Sequence, residues 1–315
     1  MVIDCMTTSE AATERAITFS IKIGYWNVGL QESIIECDAR ENHLRKLRDV
    51  AELWVKHELH ALCLCEVGSH STGFHNVHNH KVVEERICGY IRELHKEWVN
   101  TKRIRKRQVE PALRTYWNNN YMMVCDEQCL RVEHVPKAVY IRPDEYHHYT
   151  AVVLRRLSSD GTQQSPRVLA VNASVPRSEI SKLTDAMRRQ MISNILEYAT
   201  EQTDGRLIIG GDLNTDHATI QRLFGSAHLH IVTSKPIVRK QGDYAGVSGM
   251  RAIQRQSGVG RTFQGADSAS DEHDAVVVDA HFLPGEAGTE QAEARSSITD
   301  RTFDLVAASR CLLAT

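Results

Sequence analysis

A β–α–β pattern in the first 66 residues constrains the fold more than any other feature of this sequence. Residues 19–26 alternate between apolar and polar side chains, which predicts a half-buried strand. Apolar residues then recur at helical spacing from Leu44 to Val55, which predicts a helix over 39–58, and the apolar run 60–65 predicts a second strand. Because a helix between two strands packs on their sheet, we expect an α/β protein.

The same criteria predict further elements along the chain and a single domain. Helices are predicted over 82–99 and 179–200, and strands over 121–124, 138–141, 149–154, 167–172, 206–211 and 275–280, with a turn at 118–120. Neither a repeat nor a linker divides the 315 residues. We therefore expect one domain over 18–282, a flexible leader over 1–17 and a tail over 283–315.

Composition and cysteine usage bear on partners and compartment. The formal net charge is −2, so the chain as a whole has no electrostatic preference for nucleic acid or membranes. No stretch approaches the roughly 18 consecutive apolar residues of a membrane span. The N-terminal residues lack a basic patch leading into an apolar run, and the eight cysteines form neither a CxxC pair nor a disulfide framework. We expect an intracellular protein, cytoplasmic or nuclear, without a membrane span or an obligate protein partner.

Cys63 and Cys65 alternate with leucines in the second predicted strand. Free cysteine in such a position behaves as a small buried hydrophobe. This pair is therefore predicted to pack in the core.

The segment 208–214 is the sharpest local signal for chemistry. An apolar strand ends in two glycines, and Asp212 and Asn214 follow at a spacing that places both side chains on one face of an extended chain. The glycines allow the backbone to turn and a ligand to approach closely. A carboxylate and an amide here suit the orientation of a water and the binding of a phosphate oxygen. Asp and Asn are also common in ordinary turns, so the segment alone leaves that interpretation open.

Three other strand ends carry polar residues. Asn27 ends the first strand, Glu66 ends the second, and His273 lies in the segment 270–274 that leads into the last strand. With the segment that contains Asp212, these strand ends form four boxes, at 25–30, 64–66, 210–214 and 270–273. In this order the boxes resemble those of the endonuclease/exonuclease/phosphatase superfamily, the DNase I-like magnesium-dependent phosphoesterases. The resemblance covers roughly residues 19–280.

This resemblance implies a fold, a reaction and a set of roles. The fold would be a four-layer α/β sandwich, with two packed, mostly antiparallel sheets flanked by helices. The reaction would be in-line attack of an activated water on a phosphoester bond. The roles that it implies are catalysis for Asp212, Asn214, His273 and Asp243, phosphate binding for Asn27, Asn172 and Ser174, and binding of Mg²⁺, or Mn²⁺ in its place, for Glu66, Asn27, Asp271 and Glu272.

The sequence departs from the family pattern at three positions. Glu272 directly precedes His273 where Asp is usual, Ser174 replaces a His or Tyr, and Cys65 replaces a Gln. Three carboxylates therefore compete to orient His273, namely Asp243, Asp271 and Glu272. Adjacent residues of an extended chain point to opposite faces, so we expect Glu272 to face away and Asp243, arriving from another strand, to hold the imidazole.

The basic run 102–107 holds five cations in six positions. Such a run either contacts a phosphate backbone or forms a solvated helix end. It favours DNA or RNA as the substrate. A phospholipid or inositol-phosphate phosphoesterase of the same fold and a degenerate, non-catalytic binding module are the alternatives that the sequence leaves open.

Overall fold

The computed structural model describes residues 19–28, 37–67, 77–101, 109–118, 121–134, 149–158, 160–161, 163–173, 184–212, 215–233, 244–255 and 275–282. Twelve strands and four helices lie in this part of the chain. In chain order they are β1 (Ser20–Asn27), α1 (Cys37–His57), β2 (Ala61–Cys65), α2 (Val77–Asn100), β3 (Leu113–Asn118), β4 (Tyr121–Asp126), β5 (Leu130–His134), β6 (Tyr149–Arg156), β7 (Val168–Ala173), α3 (Asp185–Thr203), β8 (Leu207–Gly211), α4 (His217–Ser226), β9 (His230–Thr233), β10 (Tyr244–Ser248), β11 (Arg251–Arg255) and β12 (Val276–His281).

The strands form two six-stranded sheets. The first has the order β11-β12-β1-β2-β4-β3, and the second has the order β5-β6-β7-β8-β10-β9. Each sheet has one parallel pair at its centre, β1 with β2 and β7 with β8, and the remaining neighbours are antiparallel. The helices α1 and α3 connect the two parallel pairs, as crossover connections of parallel strands require.

The side-chain periodicity of the strands divides the molecule into four layers. Inward residues such as Ile23 and Tyr25 of β1 and Ile208 of β8 form a core between the two sheets. The outer face of the first sheet packs against α1 and α2, and the outer face of the second packs against α3 and α4. Because successive side chains of a strand point to opposite faces, each strand contributes residues to two different cores.

The predicted four-layer α/β sandwich is confirmed. Each predicted helix, and each predicted strand within the described residues, corresponds to an observed element. Cys63 and Cys65 are fully buried, as predicted for the second strand. The predicted strand at 138–141, the leader and the tail lie outside the described residues.

The sequence pattern did not predict β3, β5, β9, β10, β11 and α4. Five of these elements are strands of four to six residues in which polar residues interrupt or flank the apolar ones, so they lack the apolar run that marked the equally short β2 and β8. The helix α4 has only ten residues, although Asp216 provides a clear N-cap by accepting a hydrogen bond from the Thr219 backbone nitrogen at 2.8 Å.

None of the helices that the structure describes combines the length and the apolar character needed to cross a bilayer.

Candidate active site

Four strands end together at one edge of the sandwich. Within the first sheet Asn27 of β1 lies beside Cys65 of β2, and within the second sheet Asn172 of β7 lies beside Gly210 of β8. Both pairs are parallel, so the carboxyl ends of their strands lie side by side. The polar residues that follow apolar runs in the sequence therefore meet at this edge.

Asn27 and Asp212 form a hydrogen bond across the two sheets. The Asn27 side-chain nitrogen donates to Oδ2 of Asp212 at 2.9 Å. Both residues are buried, with exposed fractions of 3% and 1%. A buried carboxylate is costly unless it accepts hydrogen bonds, and the amide of Asn27 provides one of them. The contact also fixes the amide orientation, because a carboxylate can only accept from the nitrogen end.

The two glycines before Asp212 are required by neighbouring protein groups. A Cβ on Gly211 would lie 1.8 Å from the carbonyl oxygen of Ala173, and the residue has a φ of +131°. A Cβ on Gly210 would lie 2.5 Å from the Tyr25 ring. From the sequence, these glycines were expected to allow a turn of the backbone and the close approach of a ligand. In the structure the close approach is made by Ala173 and Tyr25, which leave no room for a side chain.

Tyr25 lies between the two sheets next to the Asn27–Asp212 contact, with its ring against Gly210. Its hydroxyl donates to the Ile208 carbonyl oxygen at 3.2 Å. Burial raises the pKa of Tyr25, and nearby Cys63 raises it further. Burial likewise raises the pKa of the Cys63 thiol. Both groups therefore stay protonated and neutral at physiological pH, so Tyr25 and Cys63 add no charge to the site.

Asn172 links the two sheets a second time. Its carbonyl oxygen accepts from the Cys65 thiol at 3.0 Å, and its nitrogen donates to the backbone oxygens of Leu64 at 2.9 Å and Met122 at 3.4 Å. The side chain is fully buried. The resemblance to the family implies phosphate binding for Asn172. In the structure its amide is engaged by three protein groups, and a phosphate contact stays a prediction.

Glu66 has a strained backbone at this edge. Its φ is +56°, in the left-handed region that residues other than glycine seldom adopt. The residue directly follows Cys65, which lies beside Asn27, and its side chain is partly exposed. Strained conformations persist only where surrounding contacts hold them, and they concentrate at functional sites.

The described residues provide donors that suit a hard divalent cation. Glu66, Asp212 and Asn27 offer carboxylate and amide oxygens, which Mg²⁺ prefers. Within the described residues, no three histidine, cysteine, aspartate or glutamate side chains lie close enough together to hold a metal ion. A site with few protein ligands still fits Mg²⁺, because this ion keeps several waters and is usually held by one or two carboxylates.

Several predicted site residues lie outside the described part of the chain. These are Ser174, Asn214, Asp243, Asp271, Glu272 and His273, together with the basic run 102–107. Their neighbours are described, since Tyr244 pairs with Gly211 and Val276 pairs with Tyr25. The roles of the six residues stay predictions.

Residue patterns did not reveal the partners of Cys65 and Asn172. The sequence did offer one signal for a role of Cys65, which is its position two residues after Cys63 and directly before Glu66. It places the thiol on the inward face of β2, but it does not identify the residue opposite it on the other sheet.

Two mixed six-stranded sheets packed together between helices form a four-layer sandwich of the DNase I-like type, so the fold that the resemblance implied is confirmed. A solved endonuclease/exonuclease/phosphatase family protein from Bacteroides thetaiotaomicron matches 85% of this chain and 99% of its own, with a TM-score of 0.51 and 12% identity. The human Nocturnin catalytic domain is also similar, with a TM-score of 0.47 and 13% identity over 85% of this chain and 96% of its own. ANGEL2, a 2′,3′-cyclic phosphatase, has a TM-score of 0.48 and 10% identity over 84% of this chain and 95% of its own. No family model and no curated protein matches the sequence.

Proposed function

We propose that this protein is a Mg²⁺-dependent phosphoesterase that hydrolyses phosphodiester bonds of DNA or RNA. The observation that carries the proposal is the contact between Asn27 and Asp212 beside the left-handed Glu66. It brings together an amide, a buried carboxylate and a partly exposed carboxylate from three strands. The DNase I-like fold supports the same chemistry.

The proposed roles follow from the chemistry of these groups. Glu66 and the amide oxygen of Asn27 would hold Mg²⁺, or Mn²⁺ in its place, and a bound divalent cation polarises a phosphoryl oxygen and stabilises developing negative charge. Asp212 is held by Asn27 and would orient or deprotonate the attacking water.

The remaining roles rest on the resemblance. Asn214 and Ser174 would bind phosphoryl oxygens, and His273 would meet the charge that develops on the phosphate. Asp243 would hold the His273 ring, with Asp271 or Glu272 on the metal side. An imidazole in this role needs a second group to fix its tautomer and orientation.

The preference for nucleic acid rests on the basic run 102–107. Five cations in six positions can contact several phosphates, which a nucleic-acid strand offers and a single phosphomonoester does not, and phosphate contacts provide most sequence-independent affinity. Binding through this run should weaken steeply as salt is raised.

A hydrolysis panel tests the proposal. It compares plasmid DNA, an abasic-site duplex, single-stranded RNA, a phosphoinositide and sphingomyelin, each with Mg²⁺ and with chelator. We expect cleavage of a nucleic acid that chelator abolishes. Cleavage of only the lipid substrates would contradict the nucleic-acid preference, and the absence of any metal-dependent product would contradict the enzyme.

Two aspartate variants complete the test. Asp212→Asn should lower turnover by roughly two or more orders of magnitude, because the acid–base group at the water is lost. Asp204→Asn is the matched control. Asp204 lies at the C-terminal end of α3 with a φ of 51°, a conformation that Asn tolerates, and it precedes β8 whereas Asp212 follows that strand. Its turnover should equal that of the wild type.

A further inference from the structure

We propose that Cys65 and Asn172 are positioning residues that hold Glu66 in its left-handed conformation, so that its carboxylate meets the metal ion. We call their contact the Cys65–Asn172 bridge. The inference rests on the proposed function only in taking Glu66 as a metal ligand, and it goes further by assigning roles to a buried thiol and a buried amide.

The bridge lies at the point where two strands of the first sheet separate. The pairing of β2 with β4 ends at Leu64 opposite Met122. The Asn172 nitrogen donates to the backbone oxygens of both residues. The Asn172 amide therefore provides a hydrogen-bond donor to two buried carbonyl groups at the end of the β2–β4 pairing. Within a sheet, such carbonyl groups are normally satisfied by the neighbouring strand.

The thiol of Cys65 attaches the next residue to the same amide. Cys65 donates to the Asn172 oxygen at 3.0 Å, and both side chains are fully buried. The last two residues before Glu66 are thus both bonded to one side chain of the opposite sheet. This restrains the backbone on the N-terminal side of Glu66.

Val67 restrains the other side. It is 1% exposed and packs in the core between the first sheet and α1 and α2, whereas Cys65 faces the second sheet. In a regular strand residues two apart share a face, so Cys65 and Val67 would point the same way. The left-handed turn at Glu66 is what allows both to be buried on opposite faces.

Glu66 is consequently held from both ends. Loss of the thiol donor would leave the Cys65 side of the turn held only by its backbone pairing with β1, in which the Cys65 carbonyl oxygen accepts from the Val28 nitrogen at 3.2 Å. The strained φ of Glu66 would then relax towards ordinary strand values. Groups that orient a metal ligand typically change metal affinity by about 10- to 100-fold when they are removed. The bridge should therefore affect metal binding more than the chemical step.

The test compares three cysteine variants of the full chain. Cys65→Ala removes the donor, Cys65→Ser keeps one, and Cys63→Ala is the matched control, because Cys63 is equally buried on the same face of β2 two residues earlier. Mn²⁺ affinity is measured directly from the electron paramagnetic resonance signal of free Mn²⁺. Thermal melting checks that each variant is folded.

We expect Cys65→Ala to weaken Mn²⁺ binding by about 10-fold. Its kcat at saturating metal should stay close to that of the wild type. Cys65→Ser should recover most of the affinity, and Cys63→Ala should bind Mn²⁺ like the wild type. Equal affinities of Cys65→Ala and Cys63→Ala would overturn the assignment.

A second readout does not depend on metal or activity. The ¹³Cα chemical shift of Glu66, assigned in glutamate-labelled protein by its loss in Glu66→Gln, reports whether φ is left-handed. We expect the left-handed shift in the wild type, Cys65→Ser and Cys63→Ala, and a change in Cys65→Ala and Asn172→Ala. If the wild type binds no Mn²⁺ but the shift behaves in this way, the bridge stands and the metal site is wrong. A left-handed shift retained in Cys65→Ala and Asn172→Ala would overturn the bridge.

Discussion

The side-chain nitrogen of Asn27 donates to Oδ2 of Asp212 at 2.9 Å, although the two residues are 185 positions apart in the sequence. They end strands of different sheets and are both buried. The bond therefore joins the sheets at the site edge and sets the position of the carboxylate that we assign to the attacking water.

Asn27→Ala should lower the free energy of unfolding by about 1–3 kcal/mol, because the Asp212 carboxylate loses a donor in a buried place. In the background of Asp212→Ala the same substitution should cost much less, with a coupling of about 0.5–3 kcal/mol. Urea unfolding of the four proteins measures this cycle. Additive losses would show that the two side chains act independently.

Gly211→Ala should destabilise the protein by more than about 3 kcal/mol, because the added Cβ would meet the Ala173 carbonyl and φ is +131°. Gly89→Ala is the matched control. Gly89 lies within α2 and has no atom within 4 Å of an added Cβ, so alanine should stabilise the helix by about 0.5–1 kcal/mol. Thermal or urea unfolding checks both, and similar values for the two variants would contradict the strand geometry.

Glu66→Gly should stabilise the fold while abolishing metal binding. The left-handed backbone costs a non-glycine residue about 1–2 kcal/mol of stability. Glycine removes this cost but is more flexible in the unfolded chain, so the free energy of unfolding should rise by about 0.5–1 kcal/mol. Glu58→Gly is the matched control, because Glu58 has a φ of 49° at the other end of β2. It should gain similar stability, but only Glu66→Gly should lose Mn²⁺ affinity. Equal Mn²⁺ affinities would remove Glu66 from the metal site.

Asp49→Asn should stabilise the protein at neutral pH but not in acid. The pKa of Asp49 is raised from 3.8 to about 6, first by burial and then by the charge of Glu52, against the lowering effects of Arg45 and Arg48. Between pH 3.8 and about 6, which are the pKa values of Asp49 in the unfolded and folded chain, the folded chain binds more protons than the unfolded chain. The stability contributed by this carboxyl therefore falls as pH rises.

The expected gain of Asp49→Asn at pH 7.5 is about 1 kcal/mol, reduced for solvent screening because the group is half-exposed, and it should vanish near pH 4. Urea unfolding of the variant and the wild type at both pH values measures the difference. The same gain at both would show that the raised pKa is not its cause.

The local periodicity of the sequence determined the central elements and the order of the site residues. Alternation in β1 and helical spacing in α1 and α3 report which faces are buried, because each period matches one backbone geometry, and the apolar run of β8 reports a strand buried on both faces. The same reading placed Asn27, Glu66 and Asp212 at strand ends. Short edge strands such as β9 and β11 gave no such signal, since they are stabilised by their neighbours in the sheet more than by their own residues.

Only the tertiary structure decided which of these residues touch. The Asn27–Asp212 bond depends on how the two sheets are packed, and no local period carries that information. The same is true of the Cys65–Asn172 bridge, whose partners are 107 residues apart. A regular strand would place Cys65 and Val67 on one face, whereas the Cys65 thiol bonds to the second sheet and Val67 packs with α1 and α2, and the left-handed Glu66 lies between them.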